Sequence, residues 1–152
     1  MEKGKGTTIH FNTNTVENLS GRVHQLPCCV KYDGVAAVSQ YFKPKLSGVH
    51  SEDEGLQLLK AHFRGRLLQG ATLHLPHPYT GFVLEKNKIG DEENSSTSWH
   101  TNATFHDVTY WNHDDLPCHN DHFFRAFHYL TIANALHKPV TPEDLASTST
   151  LF

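Results

Sequence analysis

"LQLLKAHFRGRLLQGATLHLPHPYTGFVLEK", residues 56–86, is the stretch on which the fold class turns. Read with a period of two, Leu56, Leu58, Lys60, His62 and Arg64 share one side, and Gln57, Leu59, Ala61, Phe63 and Gly65 share the other. The second side is apolar beyond its first residue, as in an extended strand with one buried face. "GATLHL" (70–75) alternates again, and Phe82-Val83-Leu84 follows the turn at Pro78-Tyr79. Three short β-type runs punctuated by Gly and Pro predict a meander or small barrel. On a strand, Arg64 and Arg66 project to the same side, a fork pair suited to a carboxylate or a phosphate.

N-terminal to this stretch, residues 1–22 are rich in Thr, Asn and Gly and are expected to be a flexible segment, with Ile9 and Phe11 able to dock locally. "VHQLPCCVKY" (23–32) reads as a strand around Pro27, which favours an edge or a bulge. "VAAVSQYF" (35–42) is a further short apolar segment, and "KLSGVHSEDEG" (45–55) reads as a solvated loop. C-terminal to it, residues 87–102 are acidic and serine-rich and are expected to be a flexible insertion. "ATFHDVTYW" (103–111) alternates as one strand. The clearest helix is 121–138, with Asn120 or Asp121 as its cap and Pro139 as its stop. Phe123, Phe127, Leu130 and Ala133 lie at helical spacing on it, and Phe124, Ile132 and Leu136 widen the apolar surface beyond one stripe. "TPEDL" (141–145) carries the start signals of another short helix, and 146–152 is read as a tail. The expected class is mostly β with a C-terminal helix, in a domain spanning 23–145.

Composition narrows the function classes. The 152 residues are 38% hydrophobic, low for a domain that closes its own core. Lys+Arg number 13 against 16 Asp+Glu, so no overall basic field draws the chain to phosphate. Three cysteines, two of them the adjacent Cys28 and Cys29, suit no disulfide framework and point to a reducing compartment. No apolar run has the length of a membrane span, and residues 1–21 lack the apolar centre of a signal peptide.

Catalytic readings are weak. His113, Cys118, His119, His122 and His128 crowd one region, but only Cys118-His119-x-x-His122 approaches ligand spacing and no second cysteine accompanies it. The acids bunch in loops (Glu52-Asp53-Glu54, Asp91-Glu92-Glu93, Asp114-Asp115), leaving only Glu85 and Asp107 on expected strands, which is not the cluster a two-metal nuclease needs. Neither a nucleophile turn nor a phosphate loop is present.

Several blocks together carry a resemblance: "LPC" (26–28), "YFKP" (41–44), "FRGRLLQGATLHLP" (63–76), "YTGFVLEK" (79–86), "FHDVTYWNHDDLP" (105–117) and the helix end "ALHKPVTPED". Over residues 23–145 the chain resembles the C subunit of the eukaryotic type 2 ribonuclease H, the small accessory member of a three-chain complex. The resemblance implies strands of an intertwined β-barrel assembly completed by a partner, the B subunit. It implies a non-catalytic scaffold that also docks the catalytic A subunit. The complex degrades RNA in RNA:DNA hybrids and incises at ribonucleotides embedded in DNA. It further implies a nuclear location, no cofactor of the chain's own (Mg2+ belonging to the catalytic chain), and hybrid contact only through the complex. The residues expected at partner interfaces are Phe63, Arg64, Arg66, Leu73, Tyr79, Phe82, Phe105 and Trp111, with Phe123, Phe127 and Leu130 on the helix. The alternative is a free-standing single-strand nucleic-acid-binding barrel with base-stacking aromatics, whose usual basic groove is missing from the charge count.

Overall fold

The computed structural model describes residues 7–11, 16–48, 56–86 and 97–143. They form two open sheets and one long helix. The strands are β1 (Thr7–His10), β2 (Glu17–Asn18), β3 (His24–Gln25), β4 (Lys45–Leu46), β5 (Leu58–Phe63), β6 (Arg66–His74), β7 (Gly81–Lys86), β8 (Thr97–Phe105) and β9 (Asp107–Asn112). The helices are α1 (Val38–Tyr41) and α2 (His122–His137). The class is mostly β with a C-terminal helix. Neither sheet closes into a barrel among the described residues.

The larger sheet has the order β3-β9-β6-β5-β4. Its centre is the hairpin expected from the sequence, but the turn falls on the arginine pair. Arg64 (φ 49°) and Gly65 (φ 78°) both lie in the left-handed region, the mark of a two-residue turn whose twist matches the flanking strands. Phe63 and Arg66 are the pair that closes it. The expected single strand through Arg64 and Arg66 is therefore corrected. Arg64 sits in the turn and Arg66 begins the return strand, so the two do not share a strand face.

Both faces of this sheet are covered, each by a different segment. Leu59, Ala61, Phe63, Leu68 and Trp111 share one face through the cross-strand pairs Ala61↔Leu68 and Gly70↔Trp111. Phe42 and Leu26 pack on that face and bury Trp111 completely. A Cβ on Gly70 would lie 2.6 Å from Trp111 Cε3, so the indole occupies the space a side chain there would need. Thr72 and Thr109 pair on the same face with hydroxyls 3.0 Å apart. The opposite face presents Leu58, Ala71 and Leu73, and α2 lays Phe124 on them, with Phe123 and Phe127 beside it. Tyr110 stacks on Phe123, with centroids 5.2 Å apart and ring planes inclined by 11°. Asp121 starts α2 as expected, yet its carboxylate turns back to accept from Cys118 N–H (3.1 Å) and Asn112 Nδ2 (3.0 Å), which ties the helix entry to β9.

The smaller sheet is centred on β8. β7 runs antiparallel along one edge, and β1 and β2 run parallel to it on the other, paired at Thr7–His10 and at Glu17–Asn18. Two expectations are corrected here. The N-terminal segment, expected to be flexible, contributes strands at 7–10 and 17–18. The expected insertion 87–102 contains the first six residues of β8, whose Thr, Ser, His and Asn carry no apolar alternation for sequence reading to detect. Residues 87–96 and the tail lie outside the described residues, as does most of the expected helix at 141–145, of which only Pro142 and Glu143 are described as helical.

The expected strand 103–111 breaks at His106 into β8 and β9, which belong to different sheets. Residues 17–25 accompany that crossing. Leu19 N–H donates to Thr104 O (2.7 Å), Ser20 Oγ accepts from His106 N–H (3.0 Å), Gly21 N–H donates to Asp107 Oδ1 (2.6 Å) and Val23 O accepts from Thr109 N–H (2.9 Å). The expected strand at 23–32 is reduced to His24–Gln25, and the segment at 35–42 forms the short α1.

Candidate partner interface

The core is unevenly shared. Both clusters of buried apolar residues draw on the larger sheet and its two covers, and none draws on the smaller sheet. On the smaller sheet, Ile9↔Trp99 pairs β1 with β8, while Val83↔Ala103 and Gly81↔Phe105 pair β7 with β8 beyond a register shift between Val83 and Leu84, which turns Ile9 and Val83 to opposite faces. Ile9 is 44% and Val83 37% exposed, and Phe11, edge-on to Phe82, is 61% exposed. Leaving aromatic and branched apolar side chains in water forgoes about 1.5–3 kcal/mol each relative to full burial. A sheet with such side chains on its surface needs a cover.

Two further apolar surfaces are open. A groove of about 780 Å³ runs between the 26–42 segment and the hairpin tip, bounded by Leu26, Val30, Tyr32, Tyr41, Phe63 and Arg64. Tyr32, Val35 and Tyr41 stand out beside it, exposed despite their size. On α2, Tyr129, Ile132 and Leu136 are exposed at i, i+3 and i+7, on the side away from Phe123, Phe124 and Phe127. The extra apolar positions that widened this helix in the sequence are a second stripe facing solvent.

The expected interface residues divide accordingly. Leu73 and Trp111 are filled into the chain's own core, so any effect of theirs on a partner passes through the shape of the sheet. Phe123 and Phe127 pack beside the α2 cluster, half-buried, as is Leu130. Phe63, Tyr79, Phe82 and Phe105 are half-buried and Arg64 and Arg66 exposed, and these keep surface for a partner. Arg64 lies over the Phe63 ring, 5.4 Å from its centroid. Arg66 Nη1 is 3.1 Å from His113 Nε2, and His113 Nδ1 is 2.8 Å from Asp114 Oδ2, so the neutral imidazole donates to the carboxylate and accepts from the guanidinium. Arg66 is engaged within the chain and Arg64 sits in the turn, so the two do not form a paired clamp. Ile9, Phe11, Tyr32, Val35 and Tyr129 are among the exposed large apolar side chains, and sequence reading named none of them as interface residues. Their only signal was large apolar side chains in otherwise polar surroundings.

The histidine-rich region does not gather. Among the described residues no three His, Cys, Asp or Glu converge as a metal-ligand set. His119 packs edge-on against Phe124, while His122 and His128 lie on α2, both exposed. Cys28 and Cys29 are exposed free thiols and Cys118 is half-buried. No helix of the described residues is long and apolar enough to cross a membrane.

A family profile described as ribonuclease H2 non-catalytic subunit (Ylr154p-like) matches residues 22–136, the part that holds the larger sheet, β7 and β8 of the smaller one and nearly all of α2. The chain is 28% identical to the C subunit of ribonuclease H2 from Mus musculus over 160 aligned residues, covering 90% of this chain and 92% of that protein. It is 23% identical to the C subunit of ribonuclease H2 from Bos taurus at the same coverage. An uncharacterized protein of Schizosaccharomyces pombe is 36% identical over 100 residues, and the match spans 60% of this chain and 64% of that protein's length. A two-sheet architecture whose smaller sheet joins neither buried cluster, matched by that profile over three quarters of its length, places the chain in a family: it belongs to the ribonuclease H2 non-catalytic subunits.

Proposed function

We propose that this chain is the C-type scaffold of a heterotrimeric ribonuclease H2, interlaced with a B-type chain and carrying the catalytic A-type chain. The assembly would degrade RNA in RNA:DNA hybrids, incise at ribonucleotides embedded in DNA, and work in the nucleus. Hydrolysis and its Mg2+ belong to the catalytic chain. The observation that carries the reading is the smaller sheet's exposed apolar side chains Ile9, Phe11 and Val83, on a sheet that contributes to neither buried cluster. A partner's strands and side chains against that sheet supply the missing cover, because an interface core is built from apolar groups that exclude water. The 13 Lys+Arg against 16 Asp+Glu disfavour the free-standing single-strand binder.

The test is affinity purification of the tagged chain from its native cells, followed by mass spectrometry and a hybrid-cleavage assay of the eluate. The reading expects two co-purifying chains, one carrying a carboxylate cluster, with hybrid cleavage in the eluate and none from the recombinant chain. Recovery of the chain without partners, or an eluate inert on hybrids, overturns it.

A further inference from the structure

Beyond the apolar surfaces, one charged patch stands apart. On the α2 side of the larger sheet, Leu58, Ala71 and Leu73 are covered by the helix. Farther along β5 the same side carries Lys60 and His62, both exposed. Lys60 is directly opposite Lys45 of β4, so two ammonium groups share one face at neighbouring positions. Lys43 and Tyr41 complete the wall of a concavity of about 320 Å³ with Lys45, Lys60 and His62. Tyr41 is 82% exposed at its edge.

Like charges directly opposite across a strand pair are destabilising. A lysine on an edge strand has an ordinary role in blocking edge-to-edge association, and β4 is an edge. That role accounts for Lys45. It does not account for Lys60 on the inner strand facing it, nor for Lys43 on the same rim. The only described contact that Lys60 Nζ makes is to Ser47 O at 3.3 Å, a neutral carbonyl. Among the described residues no carboxylate pairs with Lys43, Lys45 or Lys60, and none lines the concavity. Among the described residues the charge is held without a counter-charge, in a chain whose overall balance is acidic.

We propose that Lys43, Lys45 and Lys60, with the Tyr41 hydroxyl, bind the phosphate backbone of the duplex that the assembled nuclease acts on. The inference deepens the scaffold reading and rests on it. Backbone contacts of this kind position a duplex and add affinity without reading sequence. Clustered lysines supply them as flexible point charges, with no need for the fork geometry of arginine. The patch is compatible with the negative net charge, since three localised cations act within a Debye length of about 8 Å at physiological salt whatever the distant charges are.

The experiment uses the assembled complex with Lys43→Gln, Lys45→Gln and Lys60→Gln combined, and with Lys45→Gln alone. Fluorescence anisotropy measures binding of a labelled RNA:DNA hybrid of about three helical turns and one of about one turn across a salt series. Each lost phosphate contact removes about 0.9 from the slope of log affinity against log salt, so the triple variant is expected to lower that slope by about 2 to 3. At physiological salt its affinity for the long hybrid falls about tenfold to a hundredfold, while turnover of the short hybrid stays unchanged. Lys45→Gln alone is expected to leave the melting temperature equal or higher, because it relieves the opposed pair.

An unchanged salt slope and affinity for the long hybrid overturns the inference, as does a melting temperature lowered by Lys45→Gln, which makes the lysines structural. A triple variant that loses one of its partner chains on purification yet binds hybrid normally reassigns the patch to an acidic protein surface. A wild-type complex that neither binds nor cleaves hybrid refutes the scaffold reading itself, and is distinguished from failure of the patch by the unmodified control.

Discussion

Trp111 Nε1 donates a 3.2 Å hydrogen bond to Nδ1 of His24, and through it the largest fully buried side chain of the larger sheet is fastened to β3, the strand beside β9. The bond requires an unprotonated Nδ1, so His24 is neutral with its proton on Nε2. Phe42 closes the cluster from the other side, edge-on to both rings, with centroids 5.2 Å away in each case.

Stability therefore depends on pH through His24. Burial holds its pKa below the ordinary 6.5, with Asp107 opposing. Below 6.5 the unfolded chain takes up the proton and the folded chain resists it, so the unfolded state binds more protons and stability rises with pH in that window. The contribution is fully present above about 6.5 and is lost as pH falls through the lower folded value. Melting of the purified complex between about pH 7.5 and about pH 5, values spanning the unperturbed titration of about 6.5, is expected to show falling stability. His24→Asn, which keeps a local acceptor, is expected to flatten that part of the profile.

Packing around Trp111 has two matched tests. Trp111→Ala is expected to destabilise by about 3–5 kcal/mol, the range for emptying a large aromatic site. Gly70→Ala is expected to cost about 1–3 kcal/mol through overpacking, because the added methyl meets the indole ring. Denaturant midpoints of the complex measure both, and a neutral Gly70→Ala would mean that the indole moves freely.

Arg64 presents a conflict between backbone and side chain. Its φ of 49° is one that Asn or Gly adopts more readily, and Asn-Gly is the preferred pair for this turn. Arg64→Asn is expected to leave the fold equal or more stable by up to about 1 kcal/mol. If the guanidinium over Phe63 serves a partner at the groove, the same variant weakens complex formation while leaving the cleavage chemistry of assembled complex nearly unchanged. Calorimetric melting and titration of the partner chains separate the two effects.

The smaller sheet offers the sharpest mutational contrast. Val83→Lys and Ile9→Lys place charges at positions that are already exposed in the chain alone, so soluble yield is expected to hold. In the complex the same charges would be desolvated without a partner, a loss of several kcal/mol, and co-purification of the partner chain is expected to fail. Retained assembly in both variants would move the interface elsewhere.

How far the sequence spoke depended on how strongly each segment patterns. The β5–β6 hairpin and α2 were legible because alternation and helical spacing coincide with Gly and Pro boundaries. The turn at Arg64-Gly65 was missed because Arg is an uncommon residue at positive φ and the alternation runs unbroken past it. β1 and the first part of β8 were invisible because a parallel pair of Thr, Ser and His residues on an exposed sheet has no apolar period. The break at His106 was hidden too: β8 and β9 each alternate, and nothing local marks a change of sheet. Trp111 was expected at a partner's surface because a chain of low apolar content was read as short of its own cover, yet Phe42 and Leu26, distant in sequence, bury it. The uncovered groove and the second stripe of α2 emerge only when the covers of each face are known.

The central claim is that the smaller sheet is completed by another chain while the larger sheet is complete in itself. Amide hydrogen exchange on the isolated chain and on the purified complex tests it strand by strand. The account predicts β5, β6 and β9 protected in both samples, and β1, β7 and β8 exchanging rapidly in the isolated chain but protected in the complex. Equal protection of all six strands in the isolated chain, with no further slowing in the complex, would contradict it.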